Sequence, residues 1–215
     1  MTYFFDLDGT LTDSQEGILK CVRYALESKG ITENDYEKLK RFIGPPLTNA
    51  FMEIYGVDEK TANELLNKYR ERFSAVGMFE NKLYDGIYDM LERLKSEGHT
   101  MAVVTGKPQV YSEKIAEHFG IAKFFDAIVG PDLSNTEEGK VSLVKRALEL
   151  TGGKNAVMIG DRKFDIEGAK MNKIPSVAAL YGFGTKAELE AAKADYFAET
   201  VHDLQNLLLN DEKFM

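Results

Sequence analysis

Asp6 and Asp8 lie two positions apart where a short apolar run ends, in Asp6-Leu7-Asp8-Gly9-Thr10. If the extended backbone persists through this stretch, both side chains project to one side. Two carboxylates ~4 Å apart repel by roughly 1 to 4 kcal/mol over the range from water to a protein surface, so ionising both needs a cation, or one must hold a proton. Asp161, in Gly160-Asp161, adds a third carboxylate and makes an oxygen-rich set suited to Mg²⁺, whose octahedral shell is usually completed by water and phosphate oxygens. Other metal chemistry is poorly served. Cys21 is the sole cysteine, which excludes a disulfide, a CxxC pair and a thiolate cage, and His99, His118 and His202 are far apart with no HExxH pairing. Asp-Leu-Asp-Gly alone also reads as an acidic turn. The full Asp-x-Asp-Gly-Thr fixes four positions, and chance produces it in roughly one sequence in a thousand.

These residues need elements to position them. Thr2 to Asp6 reads as a buried strand followed by a tight loop. From Ser14, a plausible N-cap, Ile18, Val22, Ala25 and Leu26 recur at helical spacing until Gly30. Further helical patterns cover Glu33 to Phe42, Leu47 to Tyr55 and Asp58 to about Ala75, with no strand among them. After Tyr84-Asp85-Gly86 the texture alternates. A helix runs to Glu97, a strand from His99 to Thr105, a helix from Pro108 to Phe119 and a strand from Phe124 to Val129. Then come a helix from Val141 to Leu150, a strand from Ala156 to Ile159, a helix from Phe164 to Met171 and a strand from Ser176 to Leu180. Helices from Lys186 to Lys193 and Val201 to Leu209, with a short strand at Tyr196 to Ala198, finish the pattern. Near-continuous apolar strands alternating with helices predict an α/β fold, a Rossmann-like parallel sheet with helices on both faces. Residues 14–80 read as an all-helical insertion, leaving 1–13 plus 81–215 as the core.

The strong polar clusters all fall at C-terminal strand ends, where open α/β sheets place their ligand crevice. Asp6 and Asp8 follow the first strand, Thr105-Gly106-Lys107 another, and Gly160-Asp161 with Asp165 a third, while Lys140 starts a helix. In this order, Asp6-Leu7-Asp8-Gly9-Thr10, Val104-Thr105-Gly106-Lys107-Pro108, Lys140 and Gly160-Asp161-Arg162-Lys163-Phe164-Asp165 resemble the four motifs of the haloacid dehalogenase-like hydrolases, specifically small phosphatases similar to phosphoglycolate phosphatase. The resemblance covers essentially the whole chain. It implies that Asp6 attacks phosphorus to form an aspartyl-phosphate, and that Asp8 protonates the leaving oxygen and then deprotonates the attacking water. It further implies Mg²⁺ held by the Asp6 side chain, the Asp8 backbone carbonyl and Asp161, with Asp165 supporting the shell. Thr105 and the Gly106 N–H would bind the phosphoryl oxygens, Lys140 would bridge Asp6 and the phosphoryl group with Lys145 as the fallback, and Gly9 would border the substrate. The insertion would be a helical cap closing over the crevice, with Arg41 in Arg41-Phe42-Ile43-Gly44-Pro45-Pro46-Leu47 either facing substrate or lying in a simple interhelical turn.

Several alternatives stay open. A sugar phosphomutase similar to β-phosphoglucomutase would use the same aspartates, and a phospho-ligand sensor would keep the fold without turnover. Asp8 argues against dehalogenation, since a leaving halide needs no proton. Within phosphatases, 2-phosphoglycolate and nucleoside 5′-monophosphates are the main candidate substrates. Arg162, directly after Asp161, adds local positive charge and departs from the small polar residue many relatives carry. Gly182-Phe183-Gly184-Thr185-Lys186-Ala187 formally fits a dinucleotide fingerprint, yet too little chain follows it for a mononucleotide-binding half. Phe51, Met52, Tyr55, Tyr69 and Phe73 are expected to pack the cap interior, and Cys21 to be a small packed residue. Across 215 residues, 27 basic and 35 acidic side chains give a net charge of −8, with 44% hydrophobic residues. That balance predicts a folded protein and no nucleic-acid polymer as partner. The partner is expected to be a small phosphorylated metabolite. With no signal-like N-terminus and no long apolar run, the chain is expected to be cytoplasmic, off the membrane, and a monomer or homodimer.

Overall fold

A computed structural model describes residues 1–135, 138–153 and 155–214. The chain divides into two compact units, Met1–Asp13 with Leu83–Met215, and Ser14–Lys82. In chain order the elements are β1 (Thr2–Phe5), β2 (Thr12–Asp13), α1 (Gln15–Glu27), α2 (Tyr36–Lys40), α3 (Leu47–Tyr55), α4 (Glu59–Ala75), β3 (Lys82–Leu83) and α5 (Ile87–Ser96). There follow β4 (Thr100–Val104), α6 (Gln109–His118), β5 (Ala127–Val129), α7 (Lys140–Thr151) and β6 (Ala156–Gly160). The last are α8 (Lys163–Met171), β7 (Ser176–Ala179), α9 (Lys186–Ala191), β8 (Tyr196–Ala198) and α10 (Val201–Leu208).

Among the described residues of the first unit, six strands form one sheet in the order β5-β4-β1-β6-β7-β8. Every pairing is parallel. Apolar runs rather than strict alternation are what a sheet covered on both faces demands. Phe4, Ala102, Val104 and Met158 pack on one face with Leu143, Val144 and Ala147 of α7 and Ala169 of α8. The intervening residues Tyr3, Phe5, Met101, Val103, Val157 and Ile159 point the other way and are just as buried. Tyr3 spans that second face to donate its hydroxyl to Leu208 O of α10 at 2.6 Å.

The other unit is helical. Asp58 caps α4 by accepting from Thr61 N–H at 2.8 Å, and Asp35 caps α2 by accepting from Lys38 N–H at 3.1 Å. Phe42 and Phe51 pack ring to ring at 4.8 Å, while Tyr69 and Phe73 stack at 5.3 Å. Phe51, Tyr69 and Phe73 are buried in this interior, with Met52 and Tyr55 half-buried at its margin. Cys21 is fully buried, with Arg72 Nη1 3.3 Å from its sulfur.

Three local expectations are corrected. The helix expected from Glu33 to Phe42 is only Tyr36–Lys40, because its cap is Asp35 rather than a residue before Glu33. Glu33 instead bonds outward, receiving the Tyr55 hydroxyl and the Asp35 N–H at 2.9 Å each. The strand expected from Phe124 begins at Ala127, since Ala122–Phe124 forms a 3₁₀ turn that buries Phe124 from the side. Ser14 occupies the N-cap of α1 without capping it, and its hydroxyl oxygen is buried with no hydrogen-bond partner.

Leu143 is fully buried between α7 and the sheet. Leu143→Ala should lower the unfolding free energy by about 2–5 kcal/mol through lost transfer energy and residual cavity. Urea denaturation followed by far-UV circular dichroism measures it.

Candidate active site

The register of the three central strands places the reacting groups. Phe5 lies opposite Val103 of β4 and Ile159 of β6, so Asp6 emerges level with Val104 and Gly160. Its backbone is fixed by Asp6 N–H to Ile159 O at 2.9 Å. Asp6, Asp161 and Asp165 each present a carboxylate oxygen within 4.8 Å of the others. Asp8 is not in this trio, because its side chain turns to Lys107.

Lys140 holds the trio from below. Its Nζ stands 3.1 Å from Asp6 Oδ1 and 2.7 Å from Asp165 Oδ1, and donates to Val104 O at 2.9 Å. Burial alone would pull this ammonium down, but Asp165 and Asp6 outweigh burial and raise it above the ordinary lysine value. Gly168 of α8 makes room, since a Cβ there would press on the Lys140 stem. Lys145, the fallback, is exposed on α7.

Asp161 is fully buried and braced on both oxygens. Thr10 Oγ1 donates to Oδ1 at 3.2 Å, and Phe183 N–H donates to Oδ2 at 2.8 Å. Gly9, Gly182 and Gly184 crowd so close that a Cβ on any of them would overlap Asp161. The glycine-rich loop after β7 is therefore a cradle for Asp161 and not a dinucleotide fingerprint. Gly9, expected beside the substrate, also packs against Asp161. It is buried at φ +81°, and its N–H goes to Thr12 O at 2.7 Å. Gly160 is glycine because a Cβ would strike Asp165, whose Oδ2 folds back to accept Arg162 N–H at 3.0 Å.

Burial, then repulsion from Asp165 and Asp6, raises Asp161 well above the usual carboxylate range. Asp165 is pushed up to about 6 by burial, with Lys140 opposing and Asp6 reinforcing the rise. Three carboxylates facing one ammonium leave a net −2 when all are ionised, in a site of hard oxygen donors. That charge and donor set fit a divalent cation of the Mg²⁺ class.

Beside this trio, Thr105 is buried, its N–H fixed to Val129 O at 2.9 Å. Its Oγ1 accepts Lys107 N–H at 3.2 Å, which leaves the hydroxyl hydrogen to give away. Gly106 is exposed and faces open space. Lys107, quoted in the motif but given no role, places Nζ 2.8 Å from Asp8 Oδ2. Arg162 adds local positive charge as expected, favouring the ionised form of Asp161, while its Nε lies 2.9 Å from Glu188 Oε1 of α9. Arg41 belongs to the helical unit, where it is exposed and pairs with Glu53 at 2.7 Å.

A crevice of carboxylates at the C-terminal ends of parallel strands defines the class of protein. The chain belongs to the haloacid dehalogenase-like hydrolase family, whose model matches residues 3–179. It is 43% identical over 206 residues to a 5′-nucleotidase of Pseudomonas aeruginosa, covering 95% of this chain and 93% of that protein. It is 35% identical over 182 residues to the tyrosine-protein kinase PtkA of Mycobacterium tuberculosis, covering 84% of this chain and 62% of that protein. The crystal structure of a predicted phosphatase from Clostridium acetobutylicum superposes with a TM-score of 0.91 at 46% identity, covering 97% of each chain. No helix among the described residues is long and apolar enough to cross a membrane.

The raised carboxylates fix a sign. A carboxylate whose folded-state pKa exceeds its unfolded value keeps its proton longer when folded, so its contribution to stability is lost as pH rises from about 4. Asp161→Asn should therefore gain stability relative to the wild type between pH 5 and pH 7.5 when both are in EDTA. Mg²⁺ should raise the wild-type melting temperature at pH 7.5 and the variant's much less. Differential scanning calorimetry at the two pH values reads both effects.

Proposed function

We propose that this chain is a Mg²⁺-dependent phosphatase of small phosphomonoesters, working through an aspartyl-phosphate on Asp6. The observation that carries the reading is the buried arrangement of Asp6, Asp161 and Asp165 around Lys140, with a second aspartate, Asp8, two residues from the first. Phosphate monoester hydrolysis is among the slowest uncatalysed reactions, with enzymatic acceleration up to ~10²¹-fold, so nucleophile, acid and charge neutralisation must act together. Asp6 attacks phosphorus while the P–O bond to the alcohol breaks, and Asp8 gives its proton to the departing oxygen. Asp8 then takes a proton from water as that water attacks phosphorus, releasing inorganic phosphate and restoring Asp6. Thr105 donates its hydroxyl to a phosphoryl oxygen and Lys140 keeps Asp6 oriented. Mg²⁺ would be held by Asp6, the Asp8 backbone carbonyl and Asp161, with Asp165 supporting the shell, and would supply charge neutralisation.

Nucleoside 5′-monophosphates are the favoured substrates, supported by the 5′-nucleotidase relative at 43% identity. Phosphoglycolate has weaker support, because the similar structures titled as phosphoglycolate phosphatases share only 20–21% identity and speak to fold alone. The PtkA relative supports a second reading, in which a tyrosyl hydroxyl replaces water as the phosphoryl acceptor. The cytoplasm is the setting that fits such metabolites.

Asp6→Asn should lower kcat by roughly a thousandfold or more while leaving the fold intact, as removal of a nucleophile does. The measurement is phosphate release from a panel of nucleoside monophosphates, phosphoglycolate, sugar phosphates and pyrophosphate, with and without EDTA. Wild-type turnover by Asp6→Asn would overturn the mechanism. Turnover that persists in excess EDTA would overturn the metal requirement.

A further inference from the structure

Lys107 joins two loops of the site. Its Nζ lies 2.8 Å from Asp8 Oδ2, and the two side chains are only 6% and 21% exposed, so solvent screens the pair weakly. The other oxygen of that carboxylate, Oδ1, is buried and has no hydrogen-bond partner among the described residues. The two oxygens of Asp8 are thus unequal. Lys107 itself is anchored at its backbone. Its N–H binds Thr105 Oγ1 at 3.2 Å, and a Cβ at Gly130 would overlap its carbonyl oxygen. Two residues on, Gln109 N–H binds Pro131 O at 3.0 Å.

We propose that Lys107 is a positioning residue for Asp8. Its ammonium holds Oδ2 and so fixes the orientation in which the carboxyl passes its proton to the leaving group and takes one from water. The proposal rests on the phosphatase reading above. A carboxyl side chain turns freely about its terminal torsion unless one oxygen is held. A proton donor must lie within hydrogen-bond reach of the atom it serves, and a 1 Å misplacement can cost ~10²-fold in rate. Lys107 supplies the restraint in both protonation states, because its ammonium can donate to Oδ2 of the acid or of the carboxylate. In the first step the carboxyl O–H bond of Asp8 breaks, the ester oxygen gains that proton and leaves as an alcohol, and Asp6 becomes bonded to phosphorus. The Lys107 protons stay where they are. The same loop carries Thr105, so the donor to the phosphoryl oxygens and the brace on the acid move as one piece.

The test compares leaving groups in Lys107→Met and Lys107→Arg, each checked for fold by circular dichroism and thermal melting. Adenosine 5′-monophosphate has a leaving alcohol that needs a proton, whereas p-nitrophenyl phosphate has one that does not. The ratio kcat/KM reports only steps through P–O cleavage, so the second step does not enter. Lys107→Met should lower kcat/KM by about a hundredfold on the nucleotide and by less than about tenfold on p-nitrophenyl phosphate. Inhibition by inorganic phosphate should change by less than about threefold, and Lys107→Arg should recover most of the nucleotide activity. Equal losses on both substrates would overturn the proposal. So would phosphate inhibition weakening in step with the loss, which would make Lys107 a phosphate ligand. If Lys107→Met fails to fold, Lys107→Gln takes its place under the same criteria. A wild-type protein inactive on both substrates overturns the phosphatase reading itself, and the role of Lys107 with it.

Discussion

One buried ammonium sets the conditions for the whole crevice. Lys140 touches Asp6 at the end of β1, Asp165 in the first turn of α8 and the carbonyl of Val104 at the end of β4. Three separate segments of chain are therefore tied to a single charge. Removing one partner from a buried ionic cluster costs far more than the cluster contributes, because what remains is uncompensated charge in a poor solvent. Gly160 and Gly168 make the approach sterically possible, one for the Asp165 carboxylate and one for the Lys140 stem. The geometry of Asp6, Asp165 and Lys140 depends on both glycines.

The charge pattern around that ammonium divides the aspartates by task. Asp8 and Lys107 form a pair of opposite charges, one to one. Asp6 and Asp165 share Lys140 with Asp161 close beside them, so three carboxylates stand against one ammonium. Asp161 is further placed by neutral donors, the Thr10 hydroxyl and the Phe183 N–H, so its position does not depend on a cation being bound.

Much of this was legible in the sequence, for identifiable reasons. Buried parallel strands write themselves as unbroken apolar runs, and the order of runs and helical patterns was enough for the fold. Boundaries were less legible where a polar residue had two uses. Glu33 bonds to Tyr55 and the Asp35 N–H instead of extending α2, and Phe124 is apolar but sits in a turn. In the site, Asp6, Asp161, Asp165 and Lys140 stood out because each ends a strand or opens a helix. What pairs with what did not stand out, because pairing is set by tertiary register. Glu188 meets Arg162 across 26 positions of sequence, and Lys107 meets Asp8 from a different strand. Gly9 looked like a substrate neighbour because it follows two aspartates, and only the fold shows Asp161 pressed against it.

The place of β1 has a consequence for how the molecule assembles. The strand that carries Asp6 pairs with β4 on one side and β6 on the other, Thr2 lying opposite both Thr100 and Ala156. β1 is made before every other strand of this sheet, its second neighbour β6 begins only at Ala156, and β1 is strongly apolar while it waits. High contact order of this kind slows folding and leaves a sticky edge exposed during synthesis. The helical unit, Ser14–Lys82, emerges entirely before β4. Asp6 therefore gains its surroundings only when β6 arrives.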